Sequence, residues 1–513
     1  MAPAAQAETL ADAIALAYQS NPTLQSARAQ LRAIDENYVQ ARAGYRPTLE
    51  AQFEGVLQQA QQRDFFGQII DQSSNSGSGA LQLNQRLFTS GAVSWGVEAA
   101  SDDIRAARQG LRNTEAQVLQ GVIQAYVDVR RDERIVAAFE SEVGILQSQL
   151  DDVTTRQKAG DVTRTDVEQS QTNLDTSRSA LSLAEGQLQV SRAEYYAVVG
   201  QNPGTLAPEP PLPGLPRTID EAFTAAQSNN AALLEAEEVE RADSDRIYQA
   251  KAQYRPSISL SSTYGYQGQL VPFAAKQELR SFSIGALVTI PLLTGGIAQS
   301  GVRKATETDN ADRLNIEAAR RAAMQAVANA WNIALANRSS SATNEHAVET
   351  ARRYFYDTEQ EYRVGQRSTL DVLIAEQTLR AAAVAAAQSE HDCYLAQAAL
   401  LTAVGRMQAA DLVGNLPLYD PAAAFRKVEL KGAVPWEGLI AGMDRLGAPM
   451  RSTPKPLSAP AIAQGPALRS GPQIPADAPM ATSAPETPLP DTSSPATPPG
   501  LGVGRGAPYT PGN

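Results

Sequence analysis

The side chains that most often carry covalent or metal chemistry are scarce in this chain. In 513 residues it has one cysteine, Cys393, and two histidines, His346 and His391. One thiol cannot close an intrachain disulfide, and a thiol with two imidazoles does not make a Cys/His metal cluster. They read as an isolated thiol and two surface imidazoles. No phosphate-binding loop, His-Glu-x-x-His, Cys-x-x-Cys or nucleophile elbow occurs. An enzyme is therefore disfavoured, and no catalytic, cofactor-binding or metal-ligating residue is assigned.

The chemistry that remains belongs to carboxylates and guanidinium groups, with 44 Lys and Arg against 56 Asp and Glu. The cations are spread along the chain rather than clustered, which argues against nucleic acid. Such charges can tie helices together or set the field in a passage for ions, and the elements carrying them decide which. With 6% aromatic and 43% apolar residues, long helices packed through narrow seams fit better than a large globular core. No apolar run reaches the roughly 18 residues of a transmembrane helix, so any membrane crossing must be a β-barrel.

Those elements are written twice. Ala41-Arg42-Ala43-Gly44-Tyr45-Arg46-Pro47 recurs as Ala250-Lys251-Ala252-Gln253-Tyr254-Arg255-Pro256, and Leu87-Phe88-Thr89-Ser90-Gly91 as Leu292-Leu293-Thr294-Gly295-Gly296. Gly160 through Asp166-Val167 returns as Gly365 through Asp371-Val372. The expected organisation is a signal-peptide remnant at 1–8, a first repeat at 9–202, a Pro-rich linker at 203–217 and a second repeat at 218–414. An extension at 415–448 and a disordered Pro/Ala-rich tail at 449–513, with 16 of the 31 prolines, complete it. The absence of a cysteine near the N-terminus argues against a lipid anchor.

Each repeat reads as helix, two strands, very long helix, tight break and returning helix. Val118, Val122, Ala125, Val129, Asp132, Val136, Phe139, Val143, Leu146, Leu150 and Val153 keep a heptad seam with one polar member. Val167, Leu174, Leu181, Leu188 and Tyr195 return at intervals of seven, as Val348, Phe355 and Tyr362 do before Gly365. Strands are expected at about 47–59, 79–89, 256–267 and 281–292, joined within each pair by polar connections, Gln58 to Gly79 and Gly268 to Arg280. Leu49, Ala51, Phe53 and Leu57 alternate with polar residues, as do Phe282, Ile284, Ala286, Val288 and Ile290. Ten-residue segments with one apolar and one polar face are the pattern of a transmembrane barrel. Four strands cannot close one, so several chains must contribute, and three would give twelve strands. A soluble periplasmic coiled-coil adaptor or scaffold would share the helical hairpins but not these strands.

Over roughly Glu8 to Gly414 this arrangement resembles the outer-membrane efflux protein (TolC) family, in its type I secretion branch. The most specific segments are the two tips, Arg156-Gln157-Lys158-Ala159-Gly160-Asp161-Val162-Thr163-Arg164-Thr165-Asp166-Val167 and Tyr362-Arg363-Val364-Gly365-Gln366-Arg367-Ser368-Thr369-Leu370-Asp371-Val372-Leu373. The resemblance implies a mainly α protomer with four strands. Three protomers would form a twelve-strand barrel in outer-membrane lipid, continuous with an α-helical coiled-coil tunnel in the periplasm. It implies a periplasmic adaptor and an inner-membrane ABC or proton-driven transporter as partners. Asp371 falls on a ring position at the closed end, Arg367 and Tyr362 on linking positions, and Asp151 on the carboxylate they engage. A second ring aspartate expected three residues later is Ile374 here. Gly160, Asp161, Val162, Gly365 and Gln366 form the tips where the adaptor would dock.

Overall fold

The computed structural model describes residues 7–63, 65–270, 279–414 and 416–451. The first six residues of the expected signal remnant, the centre of the second hairpin connection and the tail from 452 onward lie outside the described residues.

Short helices open both repeats with the same local devices. Helix α1 (Leu10–Ser20) starts on a Thr9/Asp12 capping box, and Asn21 caps α2 (Pro22–Arg42), whose first residue is the proline that position tolerates. In the second repeat Thr218 caps the first helix and Asn230 the next. Both asparagines also donate to the last turn of a returning helix, Asn21 to the Val198 carbonyl at 2.9 Å and Asn230 to that of Ala403 at 3.2 Å. One residue type thus starts a helix and fixes where it lies.

After α2 come β1 (Thr48–Arg63), β2 (Ile69–Phe88), the 68-residue α3 (Ala92–Ala159) and its return α4 (Arg164–Val199). The second repeat supplies α5 (Ile219–Asn229), α6 (Ala231–Ala252), β3 (Ser257–Gly268), β4 (Leu279–Thr289), the 67-residue α7 (Ile297–Arg363) and its return α8 (Thr369–Ala403). At 1.5 Å per residue each long helix runs on the order of 100 Å. Helix α4 packs on α3 through Leu174, Leu188 and Tyr195, with Ser177 and Ser191 three residues after a leucine. Both serines donate to buried carboxylates of α3, Ser177 to Glu142 at 2.8 Å and Ser191 to Asp132 at 2.5 Å. The main core surrounds the middle of α3, where Leu119, Val122, Ile123 and Tyr126 are fully buried against Ile14, Leu24, Tyr195 and Leu401.

The four strands form one antiparallel sheet in the order β1-β2-β3-β4. Its register gathers the alternating residues into faces. Ala51, Leu81, Tyr264 and Phe282 lie in one row across all four strands, beside the row Leu49, Leu83, Ser262 and Ile284. The opposite face carries Glu50, Gln82, Thr263 and Ser283 in one row and Thr48, Asn84, Ser261 and Gly285 in the next. Phe53 is 81% and Phe282 67% exposed, although nothing in their chemistry suits them to water.

Two strand boundaries differ from expectation. The first hairpin pairs without interruption from Thr48↔Asn84 to Arg63↔Ile69, so the expected polar connection from Gln58 to Gly79 is mostly strand. Backbone pairing with β1 sustains the Ser73–Gly79 stretch, which has no side-chain alternation to announce it. Strand β4 ends at Thr289 rather than at 292, because Pro291 has no N–H to give a ladder.

After α8, the short α9 (Ala409–Leu412) ends the second repeat, and α10 (Pro421–Arg426) leads to α11 (Glu437–Leu446), which clamps the first strand-to-helix junction. The Asp444 carboxylate accepts from the backbone N–H groups of Thr89 (2.7 Å), Gly91 (3.1 Å) and Ser94 (3.2 Å) and from the hydroxyls of Thr89 and Ser94, both at 2.8 Å. Glu437 holds Arg42 at 2.7 Å and Arg46 at 3.1 Å where β1 begins. Among the described residues the equivalent junction of the second repeat has no such cover, and Leu292 and Leu293 are more than 90% exposed.

Candidate gate at the helix tips

Each long helix turns back at a glycine in the left-handed region, Gly160 with φ 87° and Gly365 with φ 79°. The N–H of Asp161 reaches the Arg156 carbonyl at 3.0 Å and that of Gln366 reaches the Glu361 carbonyl at 2.9 Å, closing the last turn alike in both repeats. The returning helices start on matched capping boxes. In the first, Asp166 accepts from the Thr163 N–H and hydroxyl, both at 2.8 Å. In the second, Asp371 accepts from the Ser368 N–H at 2.9 Å and hydroxyl at 2.7 Å. These hydrogen bonds hold the Asp371 carboxyl below the usual carboxylate range, so it stays ionised. The acid on each turn thus also starts a helix.

The two hairpins meet just above these turns. Arg156 on α3 donates to the Tyr362 hydroxyl of α7 at 2.6 Å, with its guanidinium 5.3 Å from that ring's centre. The Tyr362 hydroxyl in turn donates to Asp152 at 3.2 Å. This corrects the expected partner: Asp151 lies one residue, about 100°, around the helix. Asp151 accepts instead from Gln147 at 3.2 Å. Arg367 pairs within the protomer with Glu361 at 2.8 Å, not with Asp151. Gly160, Asp161, Gly365 and Gln366 are exposed and Val162 is half-buried. Apolar Val364, Leu370 and Ile374 stand exposed beside them.

Higher up, α8 packs on α3 and α4 through Leu146, Leu174 and Leu373. Next to this cluster two carboxyl groups are buried together, Glu142 of α3 and Glu376 of α8, 4% and 3% exposed. Arg380 reaches Glu142 at 2.9 Å and the Ser177 hydroxyl donates to it at 2.8 Å. Glu376 shares a hydrogen bond with Glu142, and burial first, then the Glu142 charge, raise its pKa to about 8. Further up, His391 of α8 is buried rather than at the surface as expected. Its ring bonds Asp128 at 2.7 Å and Asp392 at 2.8 Å; burial lowers its pKa, but these carboxylates outweigh that and raise it.

The turns at Gly160 and Gly365 are marked in the sequence, whereas the contacts above them are not. Glu376 and Arg380 are spaced as an ordinary surface pair on a helix, and Asp152 differs from Asp151 only by rotation. His391 carried no signal of burial.

This is the architecture of a passive duct, two helical hairpins under an amphipathic sheet. A sequence model described as "Outer membrane efflux protein" matches residues 13–201 and 223–406. The outer membrane efflux protein BepC of Brucella suis is 31% identical over 438 residues, covering 85% of this chain and 93% of that protein. The outer membrane protein TolC of Escherichia coli is 25% identical over 441 residues, covering 82% and 86%. Among solved structures, the Campylobacter jejuni CmeC outer membrane channel superposes with a TM-score of 0.68 at 15% identity, covering 82% of this chain and 89% of that one. VceC of Vibrio cholerae superposes with a TM-score of 0.63 at 21% identity, covering 77% and 96%. The chain belongs to the outer membrane efflux protein family. It is an outer-membrane export channel with a large periplasmic part, and not an enzyme.

Proposed function

We propose that three copies of the chain form the exit duct of a tripartite export system, with a gate at the α7–α8 tip that opens when a periplasmic adaptor docks. The observation that carries the trimer is the sheet. Its one apolar face is continuous over four strands, and its edges β1 and β4 have no partner within the chain's described residues. Joining edges from three chains satisfies the backbone groups a membrane cannot solvate and makes a twelve-strand barrel. Lipid then meets the Phe282 row, and water the Thr263 row. The helices below continue the wall as a coiled-coil tunnel.

At the tip, the Arg156–Tyr362–Asp152 link ties α7 to α3, and the pair α7–α8 is the part that swings when it breaks. Asp371, ionised and repeated three times around an axis, favours cations at the mouth. Asp151 and Arg367 are left to bridge neighbouring protomers. The exposed tips, Gly160, Asp161, Val162, Gly365 and Gln366 with Val364 and Leu370, suit docking by the adaptor, behind which an ABC or proton-driven inner-membrane transporter supplies the substrate. The relatives' names divide between efflux, for BepC, and secretion of an alkaline protease, for AprF of Pseudomonas aeruginosa.

Single-channel conductance in a planar bilayer tests this. Links between half-exposed groups contribute about 1 kcal/mol each. Breaking one in each of three protomers that open together shifts the gate by about 3 kcal/mol, on the order of a hundredfold. Tyr362→Phe and Arg156→Ser channels are expected to open far more often than wild type. Asp371→Asn is expected to reduce cation selectivity with the gate still closing. Unchanged conductance in both link variants would overturn the gate, and an absence of channels from folded, inserted protein would overturn the duct.

A further inference from the structure

Two buried carboxyl groups with one cation between them lie across the surface that must part when the gate opens. Glu142 is on α3, the static side of the proposed gate, and Glu376 on α8, the moving side. One Glu142 oxygen lies 2.9 Å from the Arg380 guanidinium, an ion contact without hydrogen-bond geometry at Nε, and the other accepts from the Ser177 hydroxyl at 2.8 Å. Glu376 is left with an oxygen, Oε2, that has no partner in the buried site. Among the described residues the only cation acting on Glu376 is Arg380, and its ion contact is with Glu142. A second buried charge beside it would be repelled and unhydrated, so this geometry calls for a proton on Glu376, placed to bond the Glu142 carboxylate. Among the described residues the charged groups acting on Glu376 are Glu142 from α3 and Arg380 from its own helix, with none from α4 or α7; α4 contributes the uncharged Ser177 hydroxyl, on Glu142.

We propose that Glu142, Arg380 and a protonated Glu376 form a second latch of the periplasmic gate, about 15 Å above the Tyr362 link along α3, which closes by taking up a proton and releases it on opening. The inference rests on the gate argued above. When α8 leaves α3, Glu376 meets water and ionises as an ordinary carboxylate. The proton passes to solvent, and Arg380 leaves with Glu376 on the same helix.

The direction of the pH effect follows from linkage. Closing raises the Glu376 pKa from near 4.5 toward about 8. The latch is therefore at full strength below about 4.5, weakens by up to tenfold per pH unit for each proton released as pH rises between these values, and is flat above about 8. Acid keeps the channel shut and neutrality loosens it.

The test compares conductance at about pH 5.5 and 7.5 for Tyr362→Phe channels with and without Glu376→Gln, and for Glu142→Gln. In the Tyr362→Phe background, opening is expected to rise by up to a hundredfold over those two pH units for each proton released. Adding Glu376→Gln, which carries the bonded hydrogen permanently, should hold opening near its acid level at both pH values. Glu142→Gln frees Arg380 for an ionised Glu376 and should also flatten the profile. An unchanged pH profile in both Gln variants would overturn the latch while leaving the gate standing. Tyr362→Phe channels no more open than wild type would instead remove the gate on which the latch depends.

Discussion

Phe282→Arg is expected to keep the protein out of the outer membrane, while Ser283→Arg, one residue away, leaves insertion intact. The two side chains point to opposite faces of β4, and the register puts Phe282 in the row with Ala51, Leu81 and Tyr264 and Ser283 in the row with Glu50, Gln82 and Thr263. An arginine on the lipid face of a barrel wall costs about 2–4 kcal/mol at mid-depth and less toward the interfaces. In the proposed trimer three copies would raise that to as much as about 6–12 kcal/mol, comparable to the whole stability of many domains. Outer-membrane fractions and the amount of heat-resistant oligomer on a gel report the result. Equal insertion of the two variants would mean that the exposed apolar row does not meet lipid.

Asp444→Ala is expected to have the largest effect on stability of any substitution outside the repeats. The carboxylate is 1% exposed and receives five hydrogen bonds from Thr89, Gly91 and Ser94. Its removal strands those donors in a closed site and frees α11, at a cost of about 3–5 kcal/mol. The control is Arg445→Ala on the same helix, an exposed side chain paired with Glu98 at 3.2 Å, whose loss should stay within about 0.5 kcal/mol. Thermal unfolding and trypsin cleavage after Lys431 would separate them. Similar stability of the two variants would mean that α11 is an ornament on the junction.

The legible parts of this chain were those set by local period. Strand alternation in Leu49–Leu57 and Phe282–Val288, the sevenfold returns of Leu174, Leu181 and Leu188, and the glycines at 160 and 365 each act within a few residues, so the pattern is present before folding. The unread parts depend on partners far away. Asp444 is a plain acid until Thr89, 355 residues earlier, is brought to it. The Ser73–Gly79 stretch becomes a strand only because β1 lies beside it. At the tip, the two repeats marked the turn, but choosing Asp152 over Asp151 requires knowing how α3 is rotated against α7. The glutamate pair was hidden by a spacing that suits a surface helix equally well.

Asp371 holds a helix start through Ser368, as Asp166 does through Thr163. A mutation that removes the Asp371 side chain, such as an alanine, therefore strips a negative charge from the second tip and loosens the first turn of α8 together. If Asp371 sets the ion preference of the proposed mouth, drift in that preference is restrained by foldability. Variants that retune the mouth without weakening the chain have a narrow route, an amide that keeps the acceptor oxygen or a new acid one turn along, where Ile374 now stands.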